Sequence, residues 1–313
     1  MNKTKPKVLI IAGPTASGKS ALAVDVARFT GGVIINCDAL QIYKNIPVIS
    51  AAPSFKEKSL AEHRLYEIYE CTKRGNVVEW LNLCVKEIKD VWQTNKLPIV
   101  VGGTGMYIDA LINGVTPITE VSSKVRNEVQ NILAENGLDF LYDFLQKNDE
   151  EIALKLNKND KTRIVRAVEI IKQTGRKVSD WYKEPLIKKL PGAQFKIIKI
   201  LPDIENIEGR CRDRLDKMVY EDNAIDEIKY LLRLGLDETM PAMKALGIPE
   251  LLQYVKGNCS LTNALDLAKL HTRQYVKRQR TWLKNKLSAD ITLSDVYKKQ
   301  EDVIKQILMW LNA

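Results

Sequence analysis

The chain has 313 residues, of which 45% are hydrophobic and 28% are charged, with 16 glycines and 11 prolines. This composition excludes a disordered tail, a collagen-like chain and a disulfide miniprotein, and the length suffices for about two domains. The 48 Lys and Arg residues exceed the 39 Asp and Glu residues, which gives a net charge of +9. Seven basic and no acidic residues occupy Lys269–Lys286, and such a run can hold a polyphosphate.

The longest apolar runs, such as Val8–Ala12, are too short to span a bilayer. The basic residues 1–7 are followed by only five apolar residues, so we expect neither a secretory signal nor a membrane segment. The five cysteines are scattered without a C-x-x-C pair, and only two histidines are present, which argues against a zinc cluster or a disulfide framework. We therefore expect a protein of the reducing cytoplasm.

The first part of the chain alternates between strand and helix patterns. Short apolar runs predict strands over Lys7–Ala12, Gly32–Asn36 and Pro98–Val101. Helical spacing predicts helices over Ser20–Phe29, over Trp80–Trp92 and from Met106 onward. This alternation predicts an α/β fold with a parallel sheet flanked by helices.

The pattern changes to consecutive helices between Pro117 and Pro191, with helices predicted over Ser122–Glu135, Asp139–Lys147, Glu150–Leu156 and Lys161–Thr174. The later elements predicted are a strand at Gln194–Leu201, helices over Glu205–Gly235 and Leu261–Lys286, a strand at Asp290–Leu293 and a terminal helix. We therefore expect an α/β core, residues 1–116 and 194–313, and an all-helical insertion domain, residues 117–193.

A phosphate-binding motif follows the first predicted strand. GPTASGKS matches G-x-x-x-x-G-K-[ST] between a strand and a helix, which is the context that the motif requires. Backbone N–H groups of such a loop surround a phosphate, its lysine can contact the phosphates, and its last serine can ligate Mg²⁺. The motif indicates that the ligand carries a polyphosphate group, but it does not specify that the ligand is ATP. Its residues are Gly13, Pro14, Thr15, Ala16, Ser17, Gly18, Lys19 and Ser20.

Two other predicted strands also end in residues that suit a ligand site. Asp38 follows the second strand, and it could hold Mg²⁺, act as a general base or only cap a turn. Val101–Gly105 leaves the third strand with flexible backbone and one threonine hydroxyl, which suits close approach to a ligand; a turn into the next helix is the alternative. Ligands bind at the carboxyl ends of strands in open α/β sheets.

The late predicted helix carries Arg273, Lys277, Arg280 and Lys284 on one face. A second face carries Tyr275, Arg278 and Trp282. A solvated basic face is the usual explanation of such a pattern. Because the run offers no acidic neighbour, like charges repel along it, and an anionic partner such as RNA would explain how the chain tolerates this.

Six segments together resemble one known family: GPTASGKS (13–20), DALQIY (38–43), PIVVGGTGMY (98–107), NDKTRIVRA (159–167), KALG (244–247) and TRQYVKRQRTWL (272–283). Over residues 7–285 the sequence resembles the bacterial tRNA dimethylallyltransferases, also called tRNA isopentenyltransferases. The resemblance implies a P-loop-type core and transfer of a dimethylallyl group from dimethylallyl diphosphate to N6 of adenosine 37 in tRNA, with Mg²⁺ required and pyrophosphate released. The chain departs from the usual family pattern at Ala39, Ala52 and Pro249.

The resemblance also implies roles for single residues. Asp38 would be the base that accepts the N6 proton, and Thr104 would be its partner across the site. Lys19 and Arg214 would neutralise charge on the pyrophosphate, and Ser20 would ligate Mg²⁺. The role of Arg214 is not settled by the motif, because the neighbouring Arg210 and Arg212 are alternative candidates for the contact with pyrophosphate.

The implied partner is the anticodon stem-loop of tRNA, whose target base would be extruded into the pocket. The family would act as a monomer, and the helical insertion would grip the tRNA. The residues implied to contact tRNA, besides Asp38 and Thr104, are Ala39, Leu40, Gln41, Arg126, Thr162, Arg163, Ile164, Val165, Arg166, Lys244, Ala245, Leu246, Gly247, Ile248, Pro249, Lys277, Arg278, Gln279, Arg280, Thr281, Trp282, Leu283 and Lys284. The alternative functions are a P-loop small-molecule kinase that uses ATP and an adenylate prenyltransferase that acts on free AMP.

Overall fold

The computed structural model describes residues 5–312 and the side chains of residues 5–311. The strands within these residues are β1 (Lys7–Ala12), β2 (Val33–Asn36), β3 (Glu62–Arg64), β4 (Pro98–Gly102), β5 (Gln194–Ile200) and β6 (Ile291–Leu293). They form one sheet in the order β3-β2-β4-β1-β5-β6, in which every neighbouring pair is parallel. The predicted parallel α/β sheet is confirmed.

Helices connect these strands and cover the sheet. They are α1 (Lys19–Thr30), α2 (Phe55–Leu60), α3 (Val77–Gln93), α4 (Gly105–Asn113), α5 (Ser123–Asn148), α6 (Glu150–Lys155), α7 (Lys161–Thr174), α8 (Val178–Trp181), α9 (Ile204–Tyr220), α10 (Ala224–Leu234), α11 (Ile248–Val255), α12 (Leu261–Lys286) and α13 (Glu301–Asn312). None of the helices in the described residues is long and apolar enough to cross a membrane.

One helical prediction needs correction, and one predicted break between helices is confirmed. The stretch Glu205–Gly235 forms two helices instead of one, because Asn223 takes a left-handed conformation with φ of 60° between them. Over 123–148 the two predicted helices are separated by Gly137, whose φ of 81° and ψ of 178° are not helical. Both breaks fall at residue types that tolerate positive φ.

The chain divides into two compact units. One is formed by the chain up to Ile112 and from Lys189 onward, and the other spans Asn113–Lys188. The second unit overlaps the sequence-predicted insertion 117–193 and contains α5 to α8. Its buried apolar side chains include Val129, Leu145, Ile164 and Val168, each fully buried.

The first unit has its core around β1. Val8–Ala12 has no exposed surface, since β4 and β5 pair with β1 on its two edges and helices cover its faces. Each buried Val, Leu or Ile side chain of this strand contributes about 1.5–3 kcal/mol to folding. Because β2, β4 and β1 are adjacent and parallel, the segments that follow them leave the sheet at the same edge. The phosphate-loop motif, Asp38 and Thr104 therefore meet there.

Candidate active site

The loop Gly13–Gly18 between β1 and α1 depends on two glycines. Gly18 precedes α1 with φ of 87°, and a Cβ there would lie 2.6 Å from the carbonyl oxygen of Tyr297. A Cβ on Gly13 would lie 2.5 Å from Ser17 Oγ. Only glycine fits both positions without displacement of backbone or neighbouring side chains. The loop ends at the amino terminus of α1, where free N–H groups favour an anion.

Three other parts of the chain hold this loop. The N–H of Gly13 donates to Gly102 O in β4 at 3.3 Å, and the N–H of Tyr297 donates to Ser17 O at 3.1 Å. From α12, Gln279 Oε1 accepts a hydrogen bond from the N–H of Thr15 at 3.0 Å. The loop is therefore held by hydrogen bonds from within the protein.

Lys19 is buried at the start of α1, with only 9% of its surface exposed. Its Nζ makes one long hydrogen bond, at 3.4 Å, to Pro14 O. Burial lowers the pKa of Lys19 to about 8, the nearby carboxylate of Asp38 opposes this shift, and Arg214 adds to it. A buried ammonium with so little compensation favours binding of an anion beside it.

The backbone of Asp38 is fixed by the buried side chain of Asn36. Asn36 Oδ1 accepts from the N–H of Asp38 at 2.8 Å, and Asn36 Nδ2 donates to Asp38 O and Leu65 O, both at 3.0 Å. Asp38 Oδ1 caps the next turn by accepting from the N–H of Leu40 at 2.9 Å. Asp38 Oδ2 has no hydrogen-bond partner in residues 5–312, so the turn-capping role leaves one oxygen able to accept a proton. Sequence reasoning missed Asn36.

Thr104 lies beside Asp38 because the loops after β2 and β4 pack closely. A Cβ on Gly102 would lie 1.9 Å from Cys37 O, so only glycine permits this approach. Thr104 Oγ1 accepts from the N–H of Ala39 at 3.1 Å, which leaves the hydroxyl proton of Thr104 available to a ligand.

The three arginines that competed for the phosphate role lie in different places. The guanidinium of Arg214 donates to Thr15 Oγ1, and burial lowers its pKa. Arg210 Nε donates to Ala16 O at 3.1 Å, and Arg212 is exposed and pairs with Glu208 at 2.6 Å. Arg214 is therefore the one of the three that reaches the interior of the site.

Asp38 and Arg214 line one pocket together with Thr15, Tyr275 and Gln279. Apolar side chains form much of the remaining wall, namely Leu40, Ile49, Leu215, Met218 and Leu246. The pocket thus joins Thr15 of the phosphate loop and the cation of Arg214 to a carboxylate and an apolar surface.

The basic helix α12 is compensated by acidic residues in the fold, which corrects one expectation. Three of its cations pair with α9 or the residue before it: Lys269 with Asp216 at 2.7 Å, Arg273 with Glu208 at 3.0 Å and Arg280 with Asp203 at 3.5 Å. Lys277, Lys284 and Lys286 make no ion pair within the described residues, and Arg278 lies over the ring of Tyr275, 5.8 Å from its centroid. An RNA partner would therefore be needed to offset charge repulsion only among the basic residues of α12 that lack an acidic partner.

The residues expected to contact tRNA differ in exposure. In the first unit Lys244, Pro249, Lys277, Arg278, Thr281 and Lys284 are exposed, while Asp38, Ala39, Leu40, Gln41, Thr104, Leu246, Arg280 and Trp282 are half-buried. In the second unit Thr162, Arg163 and Arg166 are exposed and Arg126 is half-buried. The other seven residues are buried, namely Ala245, Gly247, Ile248, Gln279 and Leu283 in the first unit and Ile164 and Val165 in the second. Burial makes these seven positions inaccessible to a partner in this arrangement.

A phosphate loop, a carboxylate and a hydroxyl at one edge of a parallel sheet define an α/β enzyme for a phosphorylated substrate. A model described as IPP transferase matches residues 41–286, most of the chain. The chain belongs to this family.

Curated relatives and solved structures agree with this assignment. The chain is 39% identical to a tRNA dimethylallyltransferase of Rickettsia massiliae, over 96% of this chain and 82% of the relative, and 37% identical to one of Bradyrhizobium sp., over 90% and 92%. A crystal structure of a tRNA isopentenylpyrophosphate transferase of Bacillus halodurans is similar with a TM-score of 0.71 and 29% identity, covering 98% of this chain and 96% of that one. A eukaryotic dimethylallyltransferase described as acting on tRNA aligns with a TM-score of 0.80 and 29% identity, covering 97% and 77%.

Proposed function

We propose that this chain transfers a dimethylallyl group from dimethylallyl diphosphate to N6 of adenosine 37 in tRNA. The N6 amine attacks C1 of the allyl group, the C1–O bond breaks, and the bond's electrons leave with pyrophosphate. The N6 proton passes to Asp38. The observation that carries this proposal is the juxtaposition of a phosphate loop, a carboxylate with one free oxygen and an apolar wall around one pocket.

The leaving group is stabilised by the loop and two cations. The N–H groups at the start of α1 and the ammonium of Lys19 would hold the pyrophosphate, because other groups of the protein compensate this buried charge poorly. Arg214 would contact the same group, since its guanidinium already reaches Thr15 in the loop. Across the site from Asp38, the hydroxyl of Thr104 would donate a hydrogen bond to dimethylallyl diphosphate. The five-carbon group would pack on the apolar wall.

The side chains at the site fit Mg²⁺ that is shared with the donor. No group of three or more His, Cys, Asp or Glu side chains in the described residues could form a cage by itself. Mg²⁺ instead prefers oxygen ligands and commonly takes one or two from protein and the others from phosphate and water. Ser20, half-buried in the first turn of α1, would supply a hydroxyl oxygen. The ion would neutralise charge on the diphosphate.

The acceptor base would reach the pocket from an unpaired loop of RNA, because a stacked base cannot present N6 to Asp38. The exposed residues Lys277 and Lys284 on α12, and Thr162, Arg163 and Arg166 on α7, are the side chains that we assign to the RNA. We also keep the expectation of a cytoplasmic monomer.

One assay tests the proposal. Purified protein is incubated with labelled dimethylallyl diphosphate and Mg²⁺, with bulk tRNA, with AMP or without an acceptor. We expect label in tRNA, in an anticodon loop with three consecutive adenosines. Comparable transfer to AMP without transfer to tRNA would indicate an adenylate prenyltransferase. Steady phosphate release from ATP without RNA would indicate a kinase.

A further inference from the structure

The amide of Gln279 joins two loops that are far apart in the chain. Its Oε1 accepts from the N–H of Thr15 at 3.0 Å, and its Nε2 donates to Gly103 O at 2.9 Å. Thr15 lies in the phosphate loop after β1, and Gly103 lies in the loop after β4 that carries Thr104. One side chain thus spans the donor side and the acceptor side of the proposed reaction.

The surroundings of Gln279 are built for this contact. Only 7% of its surface is exposed, although glutamine is usually a surface residue. A Cβ on Gly103 would lie 2.5 Å from Gln279 Nε2 and 2.8 Å from Gly13 O, so only glycine leaves room for the amide. Gly105, two residues further, is covered by the ring of Trp282, also from α12, and a Cβ there would lie 2.4 Å from that ring.

We infer that Gln279 is a positioning residue that fixes the distance between the phosphate loop and the loop of Thr104. This inference rests on the proposed function, and it gives Gln279 a role other than contact with RNA. A misplacement of about 1 Å between reacting groups can reduce the rate about 100-fold. The two hydrogen bonds of Gln279, to Thr15 and Gly103, form a brace between the loops. This brace therefore affects the chemical step more strongly than tRNA binding. Since Gln279 belongs to α12, it also ties the helix that carries Lys277 and Lys284 directly to the catalytic loops.

The first test replaces Gln279 by leucine, which keeps the side-chain volume but removes both hydrogen bonds. Gln279→Leu should lower kcat for tRNA prenylation about 10–100-fold, weaken binding of inorganic pyrophosphate, and change KM for tRNA less than twofold. The matched control is Gln274→Leu, since Gln274 is an exposed glutamine on the same helix. The control should resemble the wild type in all three measurements. A raised KM for tRNA with unchanged kcat would overturn the inference and indicate an RNA contact.

A second variant tests the two hydrogen bonds separately. It also keeps the inference testable if Gln279→Leu fails to fold. In Gln279→Glu the introduced carboxylate can still accept from the N–H of Thr15, but it repels Gly103 O. When protonated at low pH, the same group can donate to Gly103 O again. The kcat ratio of this variant to the wild type should therefore rise as pH falls from 8 to 5.5. A ratio that is independent of pH would contradict the brace.

A measurement without turnover keeps this inference separate from the proposed function. Amide hydrogen exchange in Gly13–Lys19 and Gly102–Gly105 should be faster in Gln279→Leu than in the wild type, and unchanged in Gln274→Leu. Equal exchange in all three proteins would refute the brace even if tRNA is prenylated. Faster exchange in a protein that prenylates nothing would refute the function and leave the brace intact.

Discussion

Replacing Lys19 by methionine should make the ligand-free protein more stable while it abolishes binding of the donor. Lys19 is 9% exposed, and within the described residues its ammonium makes one long hydrogen bond, to Pro14 O. Burial therefore costs the charged form much of its hydration, which is the main cause of the lowered pKa. Methionine has a similar length and no charge, so it fills the same space without this cost.

The pKa of Lys19 sets the size of the effect. Its fall from 10.5 to about 8 corresponds to roughly 3 kcal/mol, at about 1.4 kcal/mol for each tenfold change in proton affinity. Between these two pH values the unfolded chain holds the proton and the folded chain does not, so wild-type stability rises with pH there. Below pH 8 both states are protonated and the whole cost is present. The advantage of Lys19→Met should thus be largest at pH 7 and mostly gone at pH 10.

Another buried lysine provides a control, because its replacement by methionine should change the free energy of unfolding in the opposite direction. Lys199 in β5 is also 9% exposed, but its Nζ donates to Leu283 O at 3.2 Å and to Leu287 O at 2.9 Å, at the end of α12. Lys199→Met leaves these carbonyl groups without that donor, so it should reduce stability by about 1–3 kcal/mol.

Urea unfolding of the ligand-free proteins at pH 7 and pH 10, with a pyrophosphate titration at pH 7, checks the prediction. We expect Lys19→Met to be more stable than the wild type at pH 7 and to show no pyrophosphate binding. A variant less stable than the wild type at pH 7, or a gain that is equal at both pH values, would refute the reasoning. Both variants destabilised by the same amount would show that burial alone, without the charge, decides the outcome.

Three further predictions concern other parts of the first unit. Asp38→Asn keeps the acceptor for Leu40 but removes the base, so single-turnover prenylation should slow about 10²–10⁴-fold with pyrophosphate affinity unchanged. Lys277→Ala combined with Lys284→Ala should weaken tRNA binding and flatten its salt dependence in filter-binding titrations, with donor affinity unchanged. Tyr297→Phe removes the 2.9 Å hydrogen bond from the Tyr297 hydroxyl to a buried oxygen of Asp25, and should lower the free energy of unfolding in urea by about 1–3 kcal/mol.

The buried part of the sheet was predictable from the sequence because its strands are continuous apolar runs. Lys7–Ala12 and Pro98–Val101 stand out as short continuous apolar runs, and the structure buries Val8–Ala12 and Pro98–Val101 throughout. The edge strand β3, with the sequence EHR, was not predictable. Its residues are polar or charged, and it is a strand only because the backbone of Val33–Ile35 in β2 lies beside it. Pairing with a neighbour decides such a strand, and a local pattern cannot show this.

The phosphate loop was predictable for a different reason, because its motif specifies backbone conformation as well as chemistry. The roles of Asn36 and Gln279 were not. Each is a single amide whose partners lie elsewhere in the fold: Asn36 bonds to Leu65, and Gln279 bonds to Thr15 and Gly103. Sequence position cannot distinguish a buried glutamine that bonds to two loops from an exposed one within a basic helix. The resemblance therefore assigned Gln279 to RNA together with its exposed neighbours.

The fold also changes how many charges of α12 can act on RNA. The sequence offers seven cations, but α9 and the residue before it neutralise three of them and tie α12 to α9. Arg278 and the three lysines without an ion pair in the described part of the chain remain available, namely Lys277, Lys284 and Lys286. At about 0.7–0.9 per phosphate contact, loss of two lysines should reduce the slope of log affinity against log salt by roughly 1.5. A reduction of that size after Arg273→Ala, whose charge is already paired with Glu208, would contradict this division of the helix.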